Sequence, residues 1–348
     1  MGEDKRQEMM QKDPICSELI SPGCPVDRHL LKDIGGNMIP SVVFGSLRGE
    51  HYPQPFVKQI KDIGITHGLY SLGHSADGSI VGAGIVIRRS SDPGLLPATA
   101  AKPGLRETRY GVADKATLQA IGAELSKDRD VKELANGLLQ STDADGYHIA
   151  FEVTGRRPID GPWYGINVPG QPPGRGMNVT ATTIDEPDIR PYTLSHVVMF
   201  TRDKVKSENF YAARLGFRTV DSFSNLGPFM RPQGTHDHHT LFLIQAPPRG
   251  MEHFTFHFAG ANEVLKAGWE FSRKGYKSFW GPGRHILGSN YFWYFNSPFG
   301  GNIEFDADMD IHDDSWRPRS VPMSVDASQS FLLQYADKWA PTGGPPKH

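Results

Sequence analysis

The order of the predicted elements is the feature that most restricts how this chain can fold. Apolar or alternating segments predict strands, and apolar faces at helical spacing predict helices. The predicted elements of the second half are a strand at 194–200, a helix at 205–215, strands near 218–223 and 239–245, a strand at 251–258, a helix that ends at Gly275, and strands near 291–295 and 302–306. The order of a strand, a helix and further strands therefore occurs twice. It predicts an α+β protein built from tandem βαβββ units.

The first half repeats this order with different residues. Its predicted elements are strands at 41–44, 67–72, 80–87, 105–112 and 147–153, a short helix at 55–63, and a helix that begins after Asp114. The segment that follows is rich in proline and glycine, which favours a linker between the halves. We therefore expect an N-terminal arm at 1–35, a first module at 36–154, a linker at 155–190, a second module at 191–310 and a C-terminal tail at 311–348.

Composition restricts the class of protein and its partners. The chain has 348 residues, a net charge of −2 and two cysteines, Cys16 and Cys24. This charge points to neither nucleic acid nor an anionic membrane surface. Because apolar runs are short and the first residues are charged and polar, we expect no membrane span and no signal peptide. Two cysteines do not suggest a disulfide framework. We therefore expect a cytoplasmic protein, and we expect it to form a homo-oligomer.

Three residues of the second half predict a metal site. Glu304 lies between Ile303 and Phe305 on a strand, so its side chain points to the opposite face from these apolar neighbours. Burying a carboxylate is costly unless a cation or an ion pair compensates its charge. His196 and His253 also lie on predicted strands. Two histidines and one glutamate suit Fe(II) and leave coordination positions open, and Mn(II) accepts the same donors.

The first half lacks this set of donors. Glu152 occupies the place in its last strand that Glu304 occupies in the second half, but strand 105–112 contains no histidine. A carboxylate without imidazole partners holds iron poorly. We therefore expect the first module to bind no metal and to support the structure. His67, His74 and His148 are interpreted as ordinary polar residues.

Six elements of residues 191–310 carry a resemblance to a known family. In chain order they are His196 on a strand, Leu215-Gly216-Phe217 after the next helix, His253-Phe254, the loop Gly281-Pro282-Gly283-Arg284-His285, Tyr294, and Pro298-Phe299-Gly300 before Glu304. The segment resembles the catalytic module of type I extradiol ring-cleavage dioxygenases, such as catechol 2,3-dioxygenase and 2,3-dihydroxybiphenyl dioxygenase, in the vicinal oxygen chelate superfamily. The resemblance implies two vicinal oxygen chelate domains, and a metal held by His196, His253 and Glu304.

The resemblance also implies an acid–base histidine close to the metal. The adjacent residues His238 and His239 match the family's position for this group, but on a strand only one of them can face the metal. The Thr-Leu pair that follows favours His239, and His238 remains an alternative. The alternative without a function is that both are surface histidines at the start of a strand.

Further residues are implied as contacts of the substrate. His285 and Tyr294 would hydrogen-bond the catechol oxygens and stabilise the developing anion. A plain core aromatic is the other reading of Tyr294. His257 lies on the same strand face as His253, and it would either line the pocket or replace His253 as a ligand. The His-Phe pattern favours His253.

The sequence departs from the family at two positions. Members that cleave carboxylated catechols can carry a basic residue directly before Gly-Pro-Gly-Arg-His, where this chain has Trp280. An indole supplies no positive charge for a carboxylate, so Trp280 favours a neutral or apolar ring substituent. Val198 stands where some relatives have asparagine, which removes one polar contact near the metal.

The sequence therefore predicts an extradiol catechol dioxygenase of aromatic compound degradation, acting on a small aromatic diol and O2. Two alternatives remain open. One is a metal-dependent isomerase or lyase of the glyoxalase kind, and the other is a ligand-binding module without catalysis. His239, His285 and Tyr294 favour the dioxygenase, because neither alternative explains them.

Overall fold

The structure is a computed structural model, and it describes residues 40–45, 85–88, 96–98, 104–153, 177–178, 189, 191, 193–233, 235–297 and 301–333. Several predicted features lie outside the described residues: the arm at 1–35, the helix at 55–63, the strand at 67–72, His67, His74, most of the linker, and the turn Pro298-Phe299-Gly300. Among the helices of the described ranges, none is long and apolar enough to cross a membrane.

A six-stranded sheet is formed by the first half of the chain. Its strands are β1 (Pro40–Gly45), β2 (Ile85–Arg88), β3 (Gly104–Val112), β4 (Lys132–Glu133), β5 (Leu139–Thr142) and β6 (His148–Val153). Their order across the sheet is β2-β1-β3-β6-β5-β4. Helix α1 (Lys115–Leu125) begins after Asp114, whose side chain accepts a hydrogen bond from Thr117 N at 2.8 Å. This cap explains why the helix begins where the sequence predicts.

A ten-stranded sheet is formed by the second half. Its strands are β7 (Thr193–Thr201), β8 (Phe217–Phe223), β9 (Gly227–Pro232), β10 (Leu241–Gln245), β11 (Met251–His257), β12 (Ser278–His285), β13 (Tyr291–Asn296), β14 (Asn302–Ala307), β15 (Arg319–Val321) and β16 (Gln329–Leu332). The order is β15-β8-β9-β10-β7-β11-β14-β13-β12-β16. Strands β7 and β11 therefore pair at the centre of this sheet.

Three helices accompany the second sheet: α2 (Lys204–Leu215), α3 (Ala261–Arg273) and α4 (Val325–Ser328). Helix α2 ends at Gly216, whose φ of 70° is the left-handed conformation that glycine adopts without strain. Phe254 and Phe256 belong to the same buried cluster as Phe271 of α3. Because side chains alternate along a strand, the residues between and beside these phenylalanines point to the other face of the sheet. That other face carries the candidate site.

Two segments differ from the sequence-based expectation. The segment from Gly281 to His285 was expected to be a loop, but it lies in strand β12. The strand tolerates Gly281 and Pro282 because its pairing with β13 is irregular, with register shifts on both sides of Trp280. Part of the predicted tail also joins the sheet, since β15 pairs with β8 and β16 pairs with β12. The predicted domain boundaries themselves remain predictions.

The two sheets meet at a buried polar contact around Asp143. Tyr211 of α2 donates a hydrogen bond from its hydroxyl to Asp143 Oδ2 at 3.0 Å, and the backbone N–H groups of Asp145 and Tyr147 donate to Oδ1, both at 2.9 Å. Burial is the main cause that raises the pKa of Asp143 to about 6. The three donors oppose this effect without cancelling it.

The raised pKa predicts that Asp143 makes stability depend on pH. A group with a folded-state pKa above its ordinary value stabilises the fold most where it is protonated in both states, and this contribution is lost as pH rises from its ordinary pKa near 4 to about 6. We expect Asp143→Asn to become more stable relative to the parent between about pH 4 and about pH 6.5, by about 2 kcal/mol, and to gain little more above that range. Thermal unfolding of both proteins at several pH values measures this. A difference in Tm that stays constant across the range would contradict the prediction.

Candidate metal centre

Three neighbouring strands bring the candidate ligands together. Strand β11 lies between β7, to which it is antiparallel, and β14, to which it is parallel. In this register His253 lies opposite Asn302 on β14 and Val198 on β7, and Thr255 lies opposite Glu304. His253 and Glu304 are therefore placed close together by strand pairing alone.

His196, His253 and Glu304 converge on one point of the sheet face. Glu304 Oε2 lies 2.9 Å from His196 Nε2 and 3.2 Å from His253 Nε2, and the two Nε2 atoms are 3.4 Å apart. All three residues are buried, and Glu304 is completely so. Among the described ranges, this is the set of histidine, cysteine or carboxylate side chains whose ligand atoms are close enough to share one ion. The structure thus brings together the three residues that the sequence predicts as metal ligands.

The charges of this cluster fit a divalent cation. Burial would raise the pKa of Glu304, but hydrogen bonds from His196 and His253 and the nearby ring of His285 outweigh it and hold that pKa well below its usual range. Glu304 is therefore an anion, and its Oε1 atom is buried without a hydrogen-bond partner in the described part of the chain. An ionised carboxylate with an unused oxygen beside two imidazoles is a donor set for Fe(II) or Mn(II).

Neighbouring side chains orient both imidazole rings. Ser195 Oγ lies 3.0 Å from His196 Nδ1. Glu252 bonds His253 Nδ1, and Asn302 Nδ2 donates to Glu252 Oε1 at 3.0 Å. With both Nδ1 atoms engaged, each ring turns its Nε2 toward the shared point, as supporting hydrogen bonds do in metal sites. No sequence pattern predicted roles for Ser195 and Glu252, although each directly precedes a predicted ligand.

Thr255 is a further contact of the cluster that was not predicted from the sequence. Its hydroxyl donates to Glu304 Oε2 at 2.6 Å and lies 2.8 Å from His196 Nε2. The alternation of β11 gives the signal in retrospect, because Thr255 is two residues after His253 and shares its face. The hydroxyl helps to hold the carboxylate in place.

The adjacent histidines His238 and His239 point to different neighbours. The ring of His239 packs on His196 with centroids 4.2 Å apart. His238 instead places its Nε2 2.9 Å from Asp221 Oδ2. Burial is the main cause that lowers the pKa of His239 well below its usual value, and the nearby His196 adds to the effect. Of the two alternatives left by the sequence, His239 is therefore the one in contact with a candidate ligand.

His285, Tyr294 and Trp280 line the side of the site next to Glu304. His285 Nε2 lies 3.3 Å from the Tyr294 hydroxyl and 3.6 Å from Glu304 Oε1. The carbonyl of Ser328 accepts a hydrogen bond from His285 Nδ1 at 2.9 Å. The Trp280 ring stacks on Tyr294 with centroids 5.2 Å apart. The structure thus brings all three predicted residues to one wall.

His257, the alternative to His253 as a metal ligand, pairs with Asp306. It lies on the same strand as His253, but its Nδ1 is 2.9 Å from Asp306 Oδ1. It does not belong to the set of three residues that could share an ion in the described ranges. Val198, the other position singled out by the sequence, packs in an apolar cluster with Phe223, Phe229 and Phe242.

Known proteins resemble parts of this chain in sequence. Residues 193–305 match the family model described as Glyoxalase/Bleomycin resistance protein/Dioxygenase superfamily. Metapyrocatechase 2 of Cupriavidus necator is 36% identical over 141 residues, which are 40% of this chain and 43% of that protein. The match thus spans less than half of the length of this relative. The family model, over residues 193–305, covers the segment that contains the three candidate ligands.

Solved structures share the fold over most of both chains. The Mn(II)-bound glyoxalase of Novosphingobium aromaticivorans has a TM-score of 0.61 at 18% identity, covering 90% of this chain and 95% of that chain. The 2,2',3-trihydroxybiphenyl 1,2-dioxygenase of Sphingomonas wittichii strain RW1 has a TM-score of 0.60 at 18% identity, covering 86% of this chain and 100% of that chain. The 2,3-dioxygenase LapB of Pseudomonas sp. KL28 has a TM-score of 0.58 at 18% identity, covering 82% of this chain and 98% of that chain. These likenesses confirm the predicted α+β fold.

Proposed function

We propose that this chain, whose residues 193–305 match the Glyoxalase/Bleomycin resistance protein/Dioxygenase superfamily model, cleaves a substituted catechol with O2 by the extradiol route. The observation that carries the proposal is the convergence of His196, His253 and Glu304 in one buried cluster, with His239 packed beside it. Similarity to proteins named metapyrocatechase and trihydroxybiphenyl dioxygenase supports this reaction class.

We propose Fe(II) as the metal, held by His196 Nε2, His253 Nε2 and Glu304. When bound, the metal would supply coordination positions for the two catechol oxygens and O2, and a route for electrons between them. The three side chains leave those positions open because they all come from one side, the face of the central strands. Mn(II) takes the same donors, and elemental analysis of the protein as purified distinguishes the two.

A residue next to the metal would accept a proton from the catechol. A catechol must lose protons to bind a metal through both oxygens near neutral pH, so an acid–base group is needed. His239 is the histidine that packs on His196 without belonging to the three ligands. We assign it the task of accepting a substrate proton at Nε2, because its Nδ1 is engaged by His238 at 3.0 Å.

His285 and Tyr294 would hold the substrate oxygens. Burial, followed by the charge of Glu304, raises the pKa of Tyr294 well above its usual value. The phenol therefore keeps its proton and can donate a hydrogen bond to an anionic oxygen. The Ser328 carbonyl can only accept, so His285 Nδ1 carries a proton and its Nε2 is directed toward Tyr294 and Glu304.

Trp280 predicts a preference for substrates without a carboxylate. Its ring stacks on Tyr294, and its Nε1 donates to Gln329 Oε1 at 3.1 Å. The indole and both of these partners are uncharged, so none of them supplies a positive charge for a carboxylate. Arg284, the nearest arginine along the chain, bonds Asp308 at 2.9 Å. We therefore expect kcat/KM for alkyl- or aryl-catechols to exceed that for carboxylated catechols.

Trp280→Arg tests this preference, with Trp280→Phe as the matched control. The arginine can pair with a substrate carboxylate through a charge-assisted hydrogen bond, so the preference should narrow by roughly 10-fold or more, or reverse. The phenylalanine keeps an apolar ring and should keep the preference. Measuring kcat/KM for both substrate classes decides it. If the unmodified protein already prefers the carboxylated catechol, the assignment of Trp280 is wrong.

The proposed reaction is tested by mixing protein loaded with Fe(II) under anaerobic conditions with an alkyl catechol and air. We expect a yellow ring-fission product and one O2 consumed for each molecule of product. A product that is an isomer of its substrate, formed without O2 uptake, would indicate a glyoxalase-type isomerase. Tight catechol binding without any turnover would indicate a ligand-binding module.

A further inference from the structure

A row of hydrogen-bonded buried side chains leads away from the candidate site. His238 Nε2 lies 2.9 Å from Asp221 Oδ2, and His238 Nδ1 lies 3.0 Å from His239 Nδ1. Asp221 and His238 are both completely buried, and His239 is 4% exposed. The row begins on β8, far from the strands that carry the three ligands, and it ends at the His239 ring that packs on His196.

The chemistry of the three groups fixes the direction of both hydrogen bonds. An ionised carboxylate only accepts, so His238 donates from Nε2–H to Asp221. Burial is the main cause that lowers the pKa of His238, even against the attraction of Asp221, so its ring is neutral and its Nδ1 carries a lone pair. The hydrogen bond between the two Nδ1 atoms must then be donated by His239. This leaves Nε2 as the ring nitrogen of His239 that is not engaged by His238.

Asp221 is itself held in the ionised form. Its Oδ1 accepts from the backbone N–H of Arg319 at 2.8 Å and lies 3.4 Å from Trp316 Nε1. Its Oδ2 accepts from Arg319 Nη2 at 2.5 Å. Burial would raise the pKa of Asp221, but the hydrogen bonds from His238 and Arg319 outweigh it and lower that pKa. The carboxylate therefore remains an acceptor for His238.

We propose that Asp221 and His238 are positioning residues that fix the orientation and tautomer of His239, so that its Nε2 faces the reactants as a proton acceptor. This inference rests on the proposed function, because it gives His239 its acid–base task. It goes further by assigning roles to two residues that do not touch the metal ligands. A carboxylate that fixes the tautomer of a catalytic histidine through a hydrogen bond is a known device in other enzymes.

The tautomers are measured directly by nitrogen NMR of protein labelled with ¹⁵N-histidine, metal-free and loaded with diamagnetic Zn(II). We expect the proton of His238 on Nε2 and the proton of His239 on Nδ1. Spectra of His238→Gln and His239→Gln assign the signals. The opposite tautomer at either ring would overturn the proposal. This readout does not depend on turnover, so it stands even if no catechol is cleaved.

Asp221→Asn tests the consequence for catalysis. The amide is nearly the same shape, but its NH2 group can donate to His238 Nε2 and so reverse both hydrogen bonds. We expect this variant to keep its metal and to change KM less than about 3-fold, while kcat falls by about 100-fold or more. In its NMR spectrum the proton of His239 should move to Nε2.

Ser222→Ala is the matched control, because Ser222 directly follows Asp221 on β8 but lies outside this row of hydrogen bonds. Its hydroxyl donates to Ser320 Oγ at 2.9 Å at an exposed position, so we expect kcat within about 3-fold of the parent. Equal losses in both variants, loss of metal in Asp221→Asn, or unchanged kcat in Asp221→Asn would each overturn the proposal. Failure of the unmodified protein to cleave any catechol while the expected tautomers are observed would instead reject the proposed function.

Discussion

Replacing Glu304 with glutamine is expected to abolish metal retention and to lower turnover by roughly 1000-fold or more. The anionic Oε2 lies between the Nε2 atoms of His196 and His253, at 2.9 Å and 3.2 Å. A neutral amide keeps the shape but removes the charge that balances a divalent cation. The metal content of the purified variant, measured together with its kcat, checks the prediction.

Glu152→Gln is the matched control for this change. Glu152 is also a buried glutamate on the last strand of its module, at the place that corresponds to Glu304. In the described part of the first module no histidine joins it in a group that could hold an ion. The control should keep one metal per chain and normal turnover. A Glu304→Gln protein that retains its metal and full activity would refute the assignment of this ligand.

His239→Phe is expected to leave the metal and the catechol in place and to lower kcat by about 100-fold to 10,000-fold. The ring packs on His196 but does not belong to the three ligands, so phenylalanine can fill the space without a nitrogen. Rapid mixing of the anaerobic complex with O2 separates binding from the later steps. His148→Phe, which removes a partly buried imidazole from the first sheet, should have no effect. If His239→Phe instead lost its metal, His239 would be a ligand, and the acid–base role assigned to it would be wrong.

The residues of the metal centre could be found from sequence because their positions obey local rules. Glu304 follows from the alternation with Ile303 and Phe305, and His253 follows from the alternation of its own strand. Both rules hold because β11 and β14 are regular and are paired in register. Local periodicity therefore predicted the face of the sheet, and the resemblance to the dioxygenases linked its residues to one metal.

The choice between His238 and His239 could not be made by the same rule. Strand β10 begins only at Leu241, so alternation does not extend back to these residues. Their directions are set instead by contacts that are distant in sequence, with Asp221 for His238 and with His196 for His239. No local pattern contains this information.

Asp221 itself gave no signal in the sequence, because its partners come from the C-terminal segment. Arg319 contributes three hydrogen-bond donors to it across 98 positions of the chain. The same segment contributes Ser328 to His285 and Gln329 to Trp280. The predicted C-terminal tail therefore supports the site at three points, Asp221, His285 and Trp280. The sequence could not show this, because irregular long-range pairing has no periodicity.

The most direct test of the proposed extradiol cleavage is a single turnover of the Fe(II)-loaded protein with an alkyl catechol under ¹⁸O-labelled O2, followed by mass spectrometry of the product. We expect a ring-opened product that carries both atoms of the labelled O2, formed by the unmodified protein and not by Glu304→Gln. A product that carries no label, or an unreacted catechol in the presence of one bound iron per chain, would contradict it.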